Sequence, residues 1–194
     1  MQSRALFCLI PGFLDAATCR QLRAAMDSGV AEPAEVLGSE VVIDQRARRA
    51  SDIEVDLPTL AAVELKLEDA RAAIALYHGL SITGREGPSF LRYDPGGFYR
   101  RHCDQAVEDA WPDAARRQLS VVVFLNSSRS APERDEFSGG ELVMFPEISP
   151  GFPAGEPLEI VPRQGYLVAF LATTPHEVRP VSAGVRDVIV DWFY

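Results

Sequence analysis

Three side chains carry the strongest chemical signal in this chain. His102 and Asp104 form a His-x-Asp pair at the end of Tyr-Asp-Pro-Gly-Gly-Phe-Tyr-Arg-Arg-His-Cys-Asp, residues 93–104. His176 lies far downstream, within Pro-His-Glu-Val-Arg-Pro. An ion held by two imidazoles and one carboxylate keeps coordination positions open, the facial set that suits Fe(II) working with dioxygen. In a strand, residues i and i+2 share a face, so His102 and Asp104 point together while Cys103 points away. The third ligand must then come from a distant strand. Ten residues beyond His176 stands Arg186. Its guanidinium is a fixed fork that matches a carboxylate, and across a cavity from the metal it would hold the far carboxylate of a dicarboxylate co-substrate, with the Tyr93 hydroxyl beside it. The competing reading of Arg186 is a salt bridge to Asp187 or Asp191. The remaining histidine, His78, has no carboxylate two residues away and reads as structural or surface.

These residues need elements to position them. An apolar run over Ala5–Ile10 ends at Pro11-Gly12 and reads as a short strand. Asp15 can cap a first helix over 15–28, with Cys19, Leu22 and Met26 on its apolar stripe. Residues 31–39 read as a linker, and Ser51–Val55 alternates like a half-exposed strand. The arginines nearby, Arg46, Arg48 and Arg49, read first as a solvated edge and second as a substrate-facing rim. The second helix is clearer. Leu60, Val63, Leu67, Ala70, Ile74 and Tyr77 repeat at helical spacing between a cap at Asp56 and a stop at Gly79.

From Phe90 onward the texture is that of strands. Phe90–Tyr93 and Phe98–His102 flank a turn at Asp94-Pro95-Gly96-Gly97. Leu119–Leu125, Phe137–Phe145, Leu158–Val161, Tyr166–Leu171, Glu177–Val181 and Arg186–Phe193 follow. Gly139-Gly140 inside one of them signals a bulge or a close approach of backbone to another group. Two helices followed by about eight short strands predict a mainly β fold with helices on one face. No repeat or composition break divides the chain, so one domain over 1–194 is expected, with helical N-terminal support over 1–88 and a strand core over 89–194.

Bulk properties narrow the function classes. The 194 residues suffice for one well-buried core. A net charge of −9 argues against a phosphate backbone as general partner, so no nucleic acid is expected. No stretch approaches a membrane span and the N-terminal run is too short for a signal peptide. The three cysteines, Cys8, Cys19 and Cys103, suggest no disulfide framework. A cytoplasmic protein, monomer or homodimer, is the expectation.

Residues 93–192 resemble the prolyl 4-hydroxylase-like branch of the Fe(II)/2-oxoglutarate-dependent dioxygenases. The matching pieces are Tyr93-x-x-Gly96-x-x-Tyr99-x-x-His102-x-Asp104, then Val121 to Asn126, Ser138 to Pro146, Pro162 to Gly165, Pro175 to Val181, Arg186 and Trp192. The resemblance covers about half the chain. It implies a double-stranded β-helix, or jelly roll, supported by helices on one face. It implies Fe(II) on His102, Asp104 and His176, with 2-oxoglutarate held at its far carboxylate by Arg186 and Tyr93 and lined by Leu142 and Phe124. Dioxygen is the further co-substrate and ascorbate a candidate reductant. Arg rather than Lys at 186 resembles the oxygen-sensing members more than the collagen-type ones, and Phe124 stands where some members place Tyr. Related halogenases replace the carboxylate of the metal set with a small residue, so Asp104 points to hydroxylation.

The implied activity is hydroxylation of an unactivated C–H bond with release of succinate and CO2. The substrate is a small molecule, an amino acid, or a prolyl residue in a peptide or protein. Tyr99 and Trp192 match family positions that face substrate. Arg117 and Trp111, in the stretch after Asp104, are further candidates, Trp111 as a lid or as ordinary packing. Two readings compete with the enzyme. A cupin-like metal protein usually offers more histidines than are found here. A catalytically silent jelly-roll module that binds a metal or ligand would have lost a ligand or the anchor, and neither is lost.

Overall fold

The computed structural model describes residues 6–37, 41–106, 112–146 and 156–194. Both expected helices form where their caps stand. The Asp15 carboxylate accepts the Thr18 N–H at the start of α1 (Ala16–Ser28), and Asp56 accepts that of Thr59 at the start of α2 (Leu57–His78). Gly79 closes α2 in the left-handed conformation, φ 64°. No helix among the described residues is long and apolar enough to cross a membrane.

Strands frame both helices. The chain opens with β1 (Phe7–Ile10), and the segment between the helices carries β2 (Val30–Pro33), β3 (Val36–Leu37), β4 (Val41–Val42), β5 (Arg48–Arg49) and β6 (Ser51–Glu54). After α2 come β7 (Ser89–Tyr93), β8 (Phe98–His102) and a short α3 (Pro112–Ala115). Next are β9 (Leu119–Phe124), β10 (Ser138–Gly139), β11 (Leu142–Met144) and β12 (Leu158–Ile160). The chain ends with β13 (Leu167–Leu171), β14 (His176–Val178), β15 (Val181–Ala183) and β16 (Arg186–Phe193).

The strands make a large sheet in the order β1-β13-β9-β16-β7-β6-β2 and a smaller one in the order β12-β11-β14-β8-β5, with two-stranded ribbons β3-β4 and β10-β15. Alternation along β9 builds two cores from one strand. Leu119, Val121 and Val123 join Cys19, Leu22 and Met26 of α1 and Val63, Leu67 and Ile74 of α2. Val122 and Phe124 point the other way and meet Leu142, Met144, Ile160 and Val178 of the smaller sheet. The helices therefore cover one face of the large sheet, and the other face closes on the smaller sheet as a jelly roll, as expected.

The N-terminal stretch carries the two strands expected near 5–10 and 51–55 and further ones that were not expected. It supplies β1 to one edge of the large sheet, β2 and β6 to the other, and β5 to the edge of the smaller sheet. Only Ala50 separates β5 from β6, so the chain crosses there from one sheet to the other. β2 and β6 are four residues long and mix charged with apolar side chains, and β5 is two arginines. In β2 and β5 too few positions repeat for a period to emerge, and the linker reading of 31–39 fails for this reason. Two strands read as continuous are also broken. Phe137–Phe145 divides at Gly140 into β10 and β11, and the stretch through Val181 divides at Arg179-Pro180 into β14 and β15.

Candidate active site

His102 ends β8 and His176 begins β14, and the two residues face each other directly in the antiparallel register. Their ring centroids are 4.2 Å apart. Asp104 lies just past the end of β8, where its N–H donates to the Ala172 carbonyl at 3.0 Å. Ligand atoms of His102, Asp104 and His176 all lie within 4.8 Å of one another, the one such group of three among the described residues. Asp104 Oδ1 is 3.4 Å from His102 Nε2, and its Oδ2 is 3.6 Å from His176 Nε2.

The surroundings prepare all three as ligands. His102 Nδ1 bonds the Arg100 carbonyl at 2.8 Å and His176 Nδ1 bonds that of Thr174 at 2.9 Å. Each Nδ1 then carries the proton and leaves an Nε2 lone pair facing the centre. Tyr99 stacks on His102 at 3.5 Å and Phe170 meets His176 edge-on at 4.7 Å, which fixes both ring planes. Burial, with His102 alongside, pulls His176 down to about 4, so its imidazole is neutral at neutral pH. Burial opposes ionisation of Asp104, but attraction to His176 and hydrogen bonds with His102 and Ser120 hold it well below the usual carboxylate range. The Ser120 hydroxyl donates to Asp104 Oδ2 at 2.5 Å. Two Nε2 atoms aimed at one point beside an ionised carboxylate are what a divalent iron requires.

Arg186 is the first residue of β16 and pairs with Tyr93 on β7. Strand alternation sends it inward and Asp187 outward. The salt bridge to Asp187 or Asp191 does not form: Asp187 takes Arg23 and Arg92, and Asp191 takes Arg85. Arg186 is 1% exposed. Its Nε donates to the Gly140 carbonyl at 2.9 Å, and its guanidinium lies 4.9 Å over the Tyr93 ring and 5.6 Å from that of Phe124. Nη1 is buried with no partner among the described residues. A buried, unsatisfied guanidinium donor is costly unless a ligand completes it. Together with Leu142, Tyr93 and the three candidate ligands, Arg186 lines a cavity of about 640 Å³. The donor set and this orphaned N–H both fit an iron and a dicarboxylate.

Among the residues expected on the substrate side, Tyr99, Arg117 and Trp192 line the same cavity. The donors of Arg117 are already engaged: it makes a two-pronged bond to Glu86 at 2.7 Å on each side, donates to the Asp104 carbonyl at 3.2 Å, and lies 3.8 Å over the Trp192 ring. Trp111 falls outside the described residues. His78 is buried and bonds the Ala169 carbonyl at 3.2 Å, a structural role. Sequence reasoning placed Arg48 first on a solvated edge and only second on a substrate-facing rim, without separating it from Arg46 and Arg49. Arg48 lines the cavity, and its guanidinium lies 4.7 Å over Tyr99. Burial works against its charge, but the neighbouring Tyr93 and Tyr99 hydroxyls and Asp104 more than offset this and raise it.

A jelly roll that gathers two imidazoles and a carboxylate beside a buried arginine whose Nη1 lacks a partner defines a non-haem iron oxygenase that uses a dicarboxylate co-substrate. The chain belongs to the 2OG-Fe(II) oxygenase superfamily, whose family model matches residues 88–194. It is 31% identical over 177 residues to a PKHD-type hydroxylase of Stenotrophomonas maltophilia, a match covering 89% of this chain and 69% of that relative. A prolyl-4-hydroxylase of Pseudomonas putida superposes with a TM-score of 0.68 and 29% identity, over 97% of this chain and 91% of that one. A Trichoplax adhaerens prolyl hydroxylase, solved with a hypoxia inducible factor peptide fragment, shares the fold with a TM-score of 0.73 at 24% identity, over 97% and 83% of the two chains. The protein is a hydroxylase of the prolyl 4-hydroxylase-like branch, dependent on Fe(II), 2-oxoglutarate and dioxygen.

Proposed function

We propose that His102, Asp104 and His176 hold the iron, that Arg186 and Tyr93 hold the far carboxylate of 2-oxoglutarate, and that the enzyme hydroxylates a C–H bond of a small molecule or short peptide. The observation that carries this is the convergence of three ligand atoms within 4.8 Å in a cavity that also holds a buried Arg186 Nη1 without a partner. When bound, the iron would let dioxygen act as the oxidant: one of its oxygen atoms would enter succinate as 2-oxoglutarate loses CO2, and the other would enter the substrate as a hydroxyl. The chain's own residues bind, orient and exclude water. The backbone bonds at both Nδ1 atoms hold the imidazoles in one tautomer and one direction. Ser120 keeps Asp104 turned toward them. Arg186 offers its free fork to a carboxylate, Tyr93 adds a hydroxyl, and Leu142 gives the co-substrate a dry wall with Phe124 packed behind the guanidinium. Tyr99 and Trp192 face the substrate. Arg117 acts through others by fixing Trp192 and the Asp104 backbone.

We also propose a single domain over 1–194, a cytoplasmic location, a monomeric or homodimeric state, and ascorbate as reductant. Cys8, Cys19 and Cys103 are all free thiols, which supports a reducing compartment. The test is succinate release from 2-oxoglutarate by the iron-loaded protein. His176→Ala should abolish iron retention and succinate release. Arg186→Ala should retain iron and weaken 2-oxoglutarate at least tenfold; unchanged co-substrate affinity would remove Arg186 as the anchor.

A further inference from the structure

The cavity holds two ionisable side chains that the proposed chemistry does not use. Arg48 sits on β5 opposite Tyr99, at the edge of the smaller sheet. Tyr99 packs against the inner core, so Arg48 faces inward with it. Asp52 sits on β6 opposite Leu91, at the edge of the large sheet. Leu91 is also an inner-core residue, and cross-strand partners share a face, so Asp52 faces inward as well. The crossing at Ala50 thus places a cation and an anion, four residues apart in the chain, on the two sheets that close this end of the jelly roll. Both line the cavity with the candidate iron ligands.

Neither charge is neutralised by contact. Arg48 donates from Nη1 to the Glu35 carbonyl at 2.7 Å, and its Nε is buried with no partner. Neither Arg48 nor Asp52 forms an ion pair within 4.0 Å among the described residues. Glu32, Glu35 and Glu54 also line the cavity but are exposed to solvent, and its other charges balance. Arg117 is paired with Glu86. A divalent iron offsets Asp104 and one carboxylate of 2-oxoglutarate, and Arg186 offsets the other. Among the less exposed charges Arg48 and Asp52 remain, of opposite sign, and Asp52 feels both Arg48 and the carboxylate of Glu35. A ligand with both a carboxylate and an ammonium satisfies the two together. An internal residue of a peptide carries neither charge and would leave a guanidinium buried and unpaired, which is costly.

We propose that the substrate is a free α-amino or imino acid, its carboxylate taken by Arg48 and its ammonium by Asp52. This rests on the reading that Arg186 holds the co-substrate. A cavity of about 640 Å³ has the size of a small-ligand site. Tyr99, stacked between Arg48 and His102, links the recognition end to the iron end.

The test is anaerobic calorimetry on the full chain loaded with Mn(II) and 2-oxoglutarate. The probes are the proteinogenic amino and imino acids as free acids, as C-terminal amides and as N-acetyl derivatives. At least one free acid should bind, with its amide and its N-acetyl form each roughly 10–100-fold weaker, the range of a charge-assisted hydrogen bond. In Arg48→Gln the acid should fall to the level of the amide, and Arg48→Lys should recover part of the difference. In Asp52→Asn the free and N-acetyl forms should converge. Co-substrate affinity should stay within about twofold in all three variants, which also reports that they are folded. If 2-oxoglutarate binds and no free acid does, or if doubly blocked residues bind as tightly, the substrate class is wrong and the oxygenase reading stands. Should Arg48→Gln weaken 2-oxoglutarate as Arg186→Ala does, Arg48 serves the co-substrate and the proposal falls. Failure of the wild-type chain to bind 2-oxoglutarate at all would remove the reading beneath it too.

Discussion

Arg186 and Asp187 are adjacent and do opposite work. Arg186 turns inward with an N–H left free, while Asp187 turns outward, fully buried, between Arg23 of α1 and Arg92 of β7 at 2.8 and 2.7 Å. Asp187 also receives a second bond from Arg92 at 3.1 Å, and its own N–H donates to Asn126 Oδ1 at 3.1 Å. Removing one member of such a set strands the others. Asp187→Ala should lower stability by about 3–5 kcal/mol, read from the shift of a urea unfolding midpoint at constant slope. A loss below about 1 kcal/mol would mean that Arg23 and Arg92 find other partners. The sequence already separated these two residues in part, because His102, Asp104, His176 and Arg186 stand at a recognisable spacing. It did not separate Arg48 from Arg46 and Arg49. Which arginine faces inward depends on the pairing of a two-residue strand with β8, and two residues carry no period to read.

At the scale of elements, legibility followed length. Each helix repeats its stripe over several turns, so both were readable along with their caps. β6 was read from the alternation in Ser51–Val55, but β2 and β5 are short and carry no period, so the segment that closes the cavity was legible only in part. Gly139-Gly140 is the informative exception. The pair signalled a close approach of backbone to something unnamed, and the structure supplies the partner: the Gly140 carbonyl receives Arg186 Nε. Gly140 has φ +66°, and a Cβ there would come within 2.9 Å of both Arg186 Cδ and Phe137 Cε2. Gly140→Ala should therefore cost about 1–2 kcal/mol from backbone handedness alone. It should also push Arg186 out of position and weaken 2-oxoglutarate by roughly tenfold or more, since small misplacements cost up to about a hundredfold. Calorimetry of co-substrate binding to the Mn(II)-loaded variant checks the second effect. Unchanged affinity with lowered stability would show that this backbone contact supports the fold without aiming the guanidinium.

Over the whole molecule, the site joins segments that are remote in the chain. His102 and His176 lie on two neighbouring strands of the smaller sheet with Asp104 just past the end of β8, while Arg186 and Tyr93 belong to the large sheet. Two ligands bound in sequence across that gap should hold the sheets together, and only the folded chain brings their contacts into one place. Binding to the native state alone adds RT ln(1 + [L]/Kd), about 2.7 kcal/mol at a hundredfold excess over Kd. A chain of this length gains about 2–4 °C of Tm per kcal/mol. Each saturating ligand should therefore raise Tm by roughly 5–10 °C. Mn(II) stands in for Fe(II) here so that turnover and oxidation do not intervene. 2-Oxoglutarate should add its increment only once the metal is present, because one of its two ends would be held by the metal. The variants separate the two layers. His176→Ala should lose both increments, and Arg186→Ala should keep the metal increment and lose most of the second. If Arg186→Ala lost the metal increment as well, the guanidinium would be holding the fold of the site, and the division of labour between the two sheets would be refuted.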